Sequence, residues 1–251
     1  CEGVEILTGV KAAAVAGQVG ALNVHLDNGS VLAGTHILTA LGRVPNTDGL
    51  DLGAAGIAAT SRGITTDPYL RTSNPKVFAV GDIAGREQLT HAAGWHASAF
   101  VRTTLFKSAT RADSVPMPSA LYADPELAQI GLSETDAKTQ FGDKAITVTR
   151  IGGHDNDRAQ AERHTEGLVK LVIGPRGRLL GAAIAGEGAA EQLQLVGLAM
   201  SNKLGVRALT NMIAPYPTRG EQVKRAASAY FTPLVFGANA RRLVRLLQWL
   251  P

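Results

Sequence analysis

Cysteine is almost missing from the 251 residues, Cys1 being the only one. A single thiol excludes a disulfide within the chain and any Cys-x-x-Cys metal site, and no metal centre is expected. Aromatic residues number only 12, and the formal net charge is a mild +4. No basic stripe interleaved with aromatics occurs, so nucleic-acid binding is not expected. No apolar run reaches the roughly 18 residues needed to cross a bilayer, and no signal-peptide pattern is read at the start. These absences lead to the expectation of a cytoplasmic protein. A complete Gly-x-Gly-x-x-Gly phosphate loop is also missing. The near match Gly186-Glu187-Gly188-Ala189-Ala190-Glu191 lacks the third glycine, and its two glutamates would repel a pyrophosphate. It reads as an ordinary strand-to-helix connection.

What is there is glycine, with 28 residues, and 45% apolar side chains. That suffices for the core of one large or two ordinary domains and is a balance common in α/β cofactor proteins. The most informative segment runs from Lys76 to Gly85. Its apolar run Val77–Val80 predicts a strand buried on both faces. Gly81 follows at the carboxyl end, where open α/β sheets place ligands. Asp82 then offers an acceptor-only carboxylate suited to a sugar or ribityl hydroxyl. Taken alone, the same residues also describe a β-turn with Asp82 capping the next helix. Thr35–Leu41 predicts a second buried strand, closed by Gly42 and broken by Pro45. Gln88–Ala97 reads as a helix start, with Thr90 as its cap and backbone N–H groups left for a ligand.

Residues 3–38 predict a small antiparallel meander of Val4–Leu7, Ala21–Leu26 and Val31–Gly34, with a hairpin turn at Asp27-Asn28-Gly29. Residues 113–120 read as a Pro-rich linker. Beyond it the pattern predicts a separate α+β domain. Residues 124–134 read as a turn, a strand and the start of a helix capped by Ser133 that runs to Lys138. Strands over 145–151, 168–173 and 179–185 follow, then helices over 187–202 and 219–230. In the last segment Arg241, Arg245 and Gln248 share one helical face, with Arg242 beside it, and Leu243, Leu246, Leu247 and Leu250 fall on the other. Such a helix, with Trp249, lies on an anionic membrane surface or packs on a protein core. A membrane-surface contact through residues 240–250 is carried as an expectation.

The segments around Gly42, Asp82 and Thr90, in this order and spacing, resemble the second half of the flavin domain of the pyridine nucleotide-disulfide oxidoreductases. That family includes dihydrolipoamide dehydrogenase, glutathione reductase and mercuric reductase. The resemblance continues through Asp157-Arg158-Ala159 and Leu180-Gly181-Ala182 to Pro215-Tyr216-Pro217-Thr218-Arg219-Gly220-Glu221. It implies an α/β partial FAD/NAD(P)-binding domain followed by an α+β dimerisation domain. Residues 1–38 would be the tail of the NAD(P)-binding domain and 39–112 the C-terminal segment of the FAD-binding domain. Residues 113–251 would be the dimerisation domain with its basic amphipathic helix. The cofactors implied are FAD and NAD(P)H. Asp82, with Gly81 before it, matches the acid that meets the ribityl chain of FAD. Gln88, Leu89, Thr90 and His91 match the segment whose backbone meets the flavin ring, and the His91 imidazole itself is read as incidental. Gly42 matches a glycine near the nicotinamide nucleotide.

The Tyr216 segment resembles the family's His-Pro-Thr-x-x-Glu motif. There a histidine oriented by the glutamate acts as acid/base toward the partner subunit's flavin. Tyr216 stands in the histidine's place and Glu221 in the glutamate's. A tyrosine, with an ordinary pKa of about 10, is a poor base at neutral pH. It still donates a hydrogen bond or lies beside a metal-bound substrate. Pro followed by Tyr is similar to the mercuric-reductase branch. The cysteine pair that branch carries near its C-terminus is absent, so its mercury relay is not expected. A plainer reading makes Pro215–Thr218 a helix-entry turn with Tyr216 packed at an interface. The resemblance implies a homodimer and a small-molecule electron acceptor, with hydride passing from NAD(P)H to FAD and on to a disulfide or other acceptor. Because the phosphate loops and the Cys-x-x-x-x-Cys pair are missing, the chain is expected to be a C-terminal fragment, inactive alone. The alternative is a non-catalytic dimerisation or membrane-surface module derived from that family.

Overall fold

Two short turns organise the first part of the chain. The computed structural model describes residues 3–248, and its contacts separate into two units that divide between Val44 and Pro45. In the first unit β1 (Ala12–Gln18), β2 (Ala21–Leu26) and β3 (Val31–Gly34) form an antiparallel sheet in that order. The Val19-Gly20 turn pairs Gln18 with Ala21. The expected Asp27–Gly29 turn joins β2 to β3, with the Leu26 amide donating to the Ser30 carbonyl at 2.9 Å. The first strand is not Val4–Leu7, which is exposed and unpaired, but the alanine-rich Ala12–Gln18. The two-residue turn sets its register against β2, so ladder hydrogen bonds rather than burial define it.

Thr35–Leu41 is not a buried strand either. It is extended, pairs with no strand among the described residues, and leaves Leu38 92% exposed. An apolar run becomes a strand only where a neighbour completes its ladder. The same reason limits Val77–Val80. Its pairing is a single bridge between Phe78 and Arg71, with the Ala79 amide on the Leu70 carbonyl at 3.0 Å, and of the four only Ala79 is buried.

The second unit begins with turns, a two-residue ribbon of β4 (Ala59–Thr60) and β5 (Gly63–Ile64), and a single 3-10 turn at Gly81–Ala84. Helix α1 (Thr90–Thr104) follows and buries Ala92, His96 and Ala99, positions spaced for one helical face. Leu70, Ala99 and Ala112 pack together beneath it with Phe100.

The larger core belongs to a five-stranded antiparallel sheet. Its strands are β6 (Pro118–Leu121), β7 (Leu127–Gly131), β8 (Thr147–Gly152), β9 (Leu168–Ile173) and β10 (Leu179–Ala185), in the order β6-β7-β10-β9-β8. β6 occupies the end of the expected Pro-rich linker. An edge strand tolerates Pro118 at its first position because no ladder bond needs that missing N–H. Helix α2 (Glu134–Phe141), with Ser133 accepting from the Asp136 amide, contributes Ala137 against Val172 and Leu180 on one sheet face. On the other face α4 (Ala189–Ser201), α5 (Val206–Asn211) and α6 (Glu221–Ala229) cover Val169, Leu171, Ile173, Ala182 and Ile184. Leu179 and Leu180 point to opposite faces as consecutive strand residues do, and the register shift between Leu179 and Gly181 brings Leu179 into the same core as Ala182 and Ile184. Gly181 is required there, since a Cβ would lie 2.1 Å from the Leu132 carbonyl oxygen.

Helices α3 (Asp157–Glu162) and α5 were not expected, each being six residues long and too short for apolar periodicity to stand out. The chain ends, among described residues, in α7 (Thr232–Val235) and α8 (Ala238–Leu247). Cys1, Trp249 and Leu250 lie outside the described residues. No helix among them is long and apolar enough to cross a membrane.

Candidate functional site

The turn that carries Asp82 is built by two glycines and a buried imidazole. Gly81 has φ +72° and Gly85 φ +65°, left-handed values that favour glycine and bound the single 3-10 turn. A Cβ on Gly81 would also press on Ala93 of α1 at 3.3 Å, so the glycine lets the turn lie against the helix. From the helix side His96, 1% exposed, receives the Gly81 amide on Nδ1 at 3.2 Å. Burial, and then the nearby Arg86 charge, lower the His96 pKa from 6.5, with Glu87 opposing. The imidazole is thus held neutral and accepting. Arg86 braces the other end of the turn, its Nη2 donating to the Asp67 carbonyl at 3.0 Å.

Asp82 itself is exposed and makes no hydrogen bond or ion pair among the described residues. Gln88, Leu89, Thr90 and His91 follow on the same segment, entering α1. The expected cap moves by one residue: Leu89 is the N-cap, Thr90 is the first helical residue, and the apolar Leu89 side chain gives no capping hydrogen bond. The first N–H groups of α1 therefore keep the partial positive charge of an uncapped helix end. The His91 imidazole has a definite partner. Its Nε2 donates to the Pro118 carbonyl at 2.7 Å, tying α1 to the start of β6. Trp95 adds a second tie through Nε1 to the Ala112 carbonyl at 2.7 Å. Gly42, with φ +102°, lies in the first unit.

FAD fits this turn on two observations: the free carboxylate of Asp82, and the backbone approach that Gly81 permits. An acceptor-only carboxylate suits a polyhydroxyl chain, and uncapped amides suit the polar edge of a ring.

Tyr216 and Glu221 meet in a second place, on the C-terminal domain. Asn156, fully buried, accepts the Ala159 amide on Oδ1 as cap of α3 and donates from Nδ2 to the Thr218 carbonyl, both at 3.0 Å. Arg219 reaches Glu187 at 2.9 Å and also pairs with Glu162, so Glu187 of the near-match phosphate loop is occupied as an ion-pair partner. These contacts fix the loop that presents Tyr216, whose ring is 70% exposed. A hydrogen bond and the charge of Asp157 hold the phenol above its ordinary range, Glu221 adds to this, and Arg225 opposes it. Tyr216 is therefore a protonated donor at neutral pH. Glu221 stands at the start of α6 with Arg225 3.5 Å from one carboxylate oxygen, while its other oxygen is buried without a partner. Arg225 also lies 3.6 Å from Asp157, linking the group. The cleft beside it is lined by Ile151, Ala214, Glu221, Lys224 and Arg225.

Sequence reasoning missed His96, Asp157 and Arg225 as site residues. His96 carried a signal, a polar residue in the Ala92/Ala99 stripe. Asp157 stood in the Asp157-Arg158-Ala159 segment of the resemblance without a role, Arg225 carried no signal, and both join the Tyr216 site only through tertiary folding.

Comparison with known proteins follows the same division. Residues 1–97 match the sequence profile described as pyridine nucleotide-disulphide oxidoreductase, and residues 117–227 match that family's dimerisation domain. Glutathione reductase of Burkholderia cepacia is 32% identical over 222 residues, covering 88% of this chain and 49% of that protein. Mercuric reductase of Acidithiobacillus ferrooxidans is 33% identical over 233 residues, covering 91% and 42%. The chain thus spans about half the length of the curated relatives it matches. Among solved structures, LpdA from Mycobacterium tuberculosis shares the fold with a TM-score of 0.83 at 24% identity, over 91% of this chain and 50% of that one. An FAD/NAD(P)-binding portion followed by a dimerisation domain is the architecture that these matches and the fold share. The chain belongs to the pyridine nucleotide-disulphide oxidoreductases, a family of oxidoreductases that uses FAD and NAD(P)H.

Proposed function

We propose that this chain forms the C-terminal half of a homodimeric, FAD-dependent NAD(P)H oxidoreductase. In it, hydride passes from NAD(P)H to FAD, and electrons go on to a disulfide or another small acceptor. The observation that carries the reading is the unpaired Asp82 carboxylate on a glycine-bounded turn beside the uncapped start of α1. Asp82 accepts hydrogen bonds from the ribityl hydroxyls, and the backbone of Gln88–His91 meets the ring edge. Gly81 lets the backbone approach, and Gly42 lies near the nicotinamide nucleotide. FAD, when bound, would supply the redox-active ring, and Asp82 with the Gln88–His91 backbone would hold and orient it.

Tyr216 and Glu221 face the acceptor across the dimer interface. With its single phenol hydrogen held by Asp157, Tyr216 does not take a proton from the acceptor; it donates to the acceptor only where the acceptor replaces Asp157 as the partner of that hydrogen. The mercuric-reductase-like placement of Tyr216 supports an acceptor that does not need a histidine base.

Two experiments test this. In the longer protein that the reading requires, Asp82→Ala is expected to weaken flavin retention about tenfold or more, the value of a charge-assisted hydrogen bond. Full flavin occupancy in that variant would overturn the assignment. The purified 251-residue chain, holding half a flavin cradle, is expected to show no FAD-dependent NAD(P)H turnover. Turnover by that chain alone would overturn the half-cradle reading.

A further inference from the structure

Helices α7 and α8 lie beyond residue 227, where the dimerisation-domain match ends. Over residues 231–248 the sequence contains Arg241, Arg242 and Arg245 and neither aspartate nor glutamate. At about 3.6 residues per turn, Leu243, Val244, Leu246 and Leu247 form one face of α8 and the three arginines form the opposite one. Arg241 and Arg242 mark its two edges, next to the apolar arc. That arc is uncovered: Leu243 is 55% exposed, Val244 51%, Leu246 67% and Leu247 51%. Leu234, Val235 and Phe236 of the preceding turn are exposed as well. None of the three arginines has a carboxylate partner among the described residues.

We propose that α7 and α8 dock on an anionic lipid bilayer, the leucines entering the acyl boundary and the guanidinium groups engaging lipid phosphates. Charge decides the occupant. A second copy of this helix seated on the apolar arc would bring no carboxylate to the arginines that flank it, since neither helix carries one. A phosphate surface neutralises the same groups, and guanidinium forks bind phosphate bidentately. The long arginine stems lie along the apolar flank while their heads reach the headgroups. Ten helical residues span about 15 Å, half the thickness of a hydrocarbon core, so the helix adsorbs in the interface plane and does not cross.

The test is co-sedimentation of the 251-residue chain with vesicles of phosphatidylcholine alone or of phosphatidylcholine with phosphatidylglycerol. Binding is expected to the anionic vesicles, about tenfold or more over the neutral ones, and to fall as salt rises. The variant Arg241→Gln/Arg242→Gln/Arg245→Gln is expected to bind about a hundredfold more weakly. Leu243→Glu/Leu246→Glu is expected to abolish binding, with circular dichroism and sedimentation mass unchanged. Failure of the folded chain to bind either vesicle, or equal binding to both, overturns the proposal. So does a leucine variant that loses assembly mass but keeps vesicle binding, which would assign the face to a second copy. Should the leucine variant not fold, the arginine variant decides alone, its side chains being exposed: wild-type affinity in it overturns the proposal.

Discussion

The backbone amide of Gly81 donates a hydrogen bond to Nδ1 of His96, 3.2 Å away, and so ties the turn bearing Asp82 to the buried face of α1. The contact selects a protonation state. A nitrogen that accepts carries no proton, so the neutral ring holds its hydrogen on Nε2. Protonating Nδ1 would set a donor against a donor inside a buried contact.

Stability should therefore depend on pH through His96. Its pKa is lowered in the folded chain, first by burial and then by Arg86. The unfolded chain takes up the proton near the ordinary value of 6.5, before the folded one does. The stabilising contribution is complete above that value and is lost as pH falls toward the folded-state pKa. Urea midpoints are expected to drop between neutral pH and about pH 5. His96→Gln keeps an acceptor for Gly81 without titrating and should flatten this slope. His96→Ala should cost about 1–3 kcal/mol at neutral pH by leaving the amide unsatisfied. A slope as steep in the Gln variant as in the parent would exclude His96 as its source.

Asp157→Asn is expected to lower the pKa of Tyr216. The hydrogen bond to Asp157, with its charge, is the first cause of the upward shift, and Glu221 adds less. Replacing the carboxylate by an amide removes the charge and moves phenolate formation back toward the ordinary value of 10.0. Ultraviolet titration of the parent and of a Tyr216→Phe control isolates this one ring. An unmoved titration would mean that Asp157 does not control the phenol.

The strands Leu168–Ile173 and Leu179–Ala185 were legible because their apolar runs are bounded by turn residues and meet partners supplied by this chain. The Ser133 cap was legible for a local reason, an oxygen beside the first free amides. Val77–Val80 and Thr35–Leu41 carry equally good runs and form no strands. Apolar pattern records what a segment is able to bury, not whether a neighbour lies alongside it. At the site, the Gly81-Asp82 turn was readable from its residues. The link from Asp157 through Arg225 to Glu221 was not, because it joins α3 to α6 across a long sequence separation.

Asn156 holds the Tyr216 loop by serving two partners at once. One amide oxygen caps α3, and the amide nitrogen donates to the Thr218 carbonyl. Asn156→Ala loses both and should cost about 2–3 kcal/mol, a cap plus an unsatisfied, partly buried carbonyl. Asn156→Asp keeps the cap but sets a carboxylate against that carbonyl, so it should recover little of the loss. Denaturant unfolding of the two variants checks the order. Full recovery by aspartate would show that only the cap matters.

Two glycines should respond with opposite signs to the same substitution. At Gly181 an added Cβ would sit 2.1 Å from the Leu132 carbonyl oxygen and 2.8 Å from the Leu132 amide, both backbone atoms that β7 and β10 hold in place. Gly181→Ala must spread the sheet at its central pair and is expected to cost about 3 kcal/mol or more. Gly94 lies inside α1 with nothing within 4 Å of the corresponding position. There a Cβ lowers the freedom of the unfolded chain without touching a neighbour, so Gly94→Ala should stabilise by about 0.5–1 kcal/mol. Thermal unfolding of both variants measures the contrast. A destabilising Gly94→Ala would mean that this exposed face of α1 is approached by a surface outside the described residues, and the helix would then be part of a contact rather than a free face.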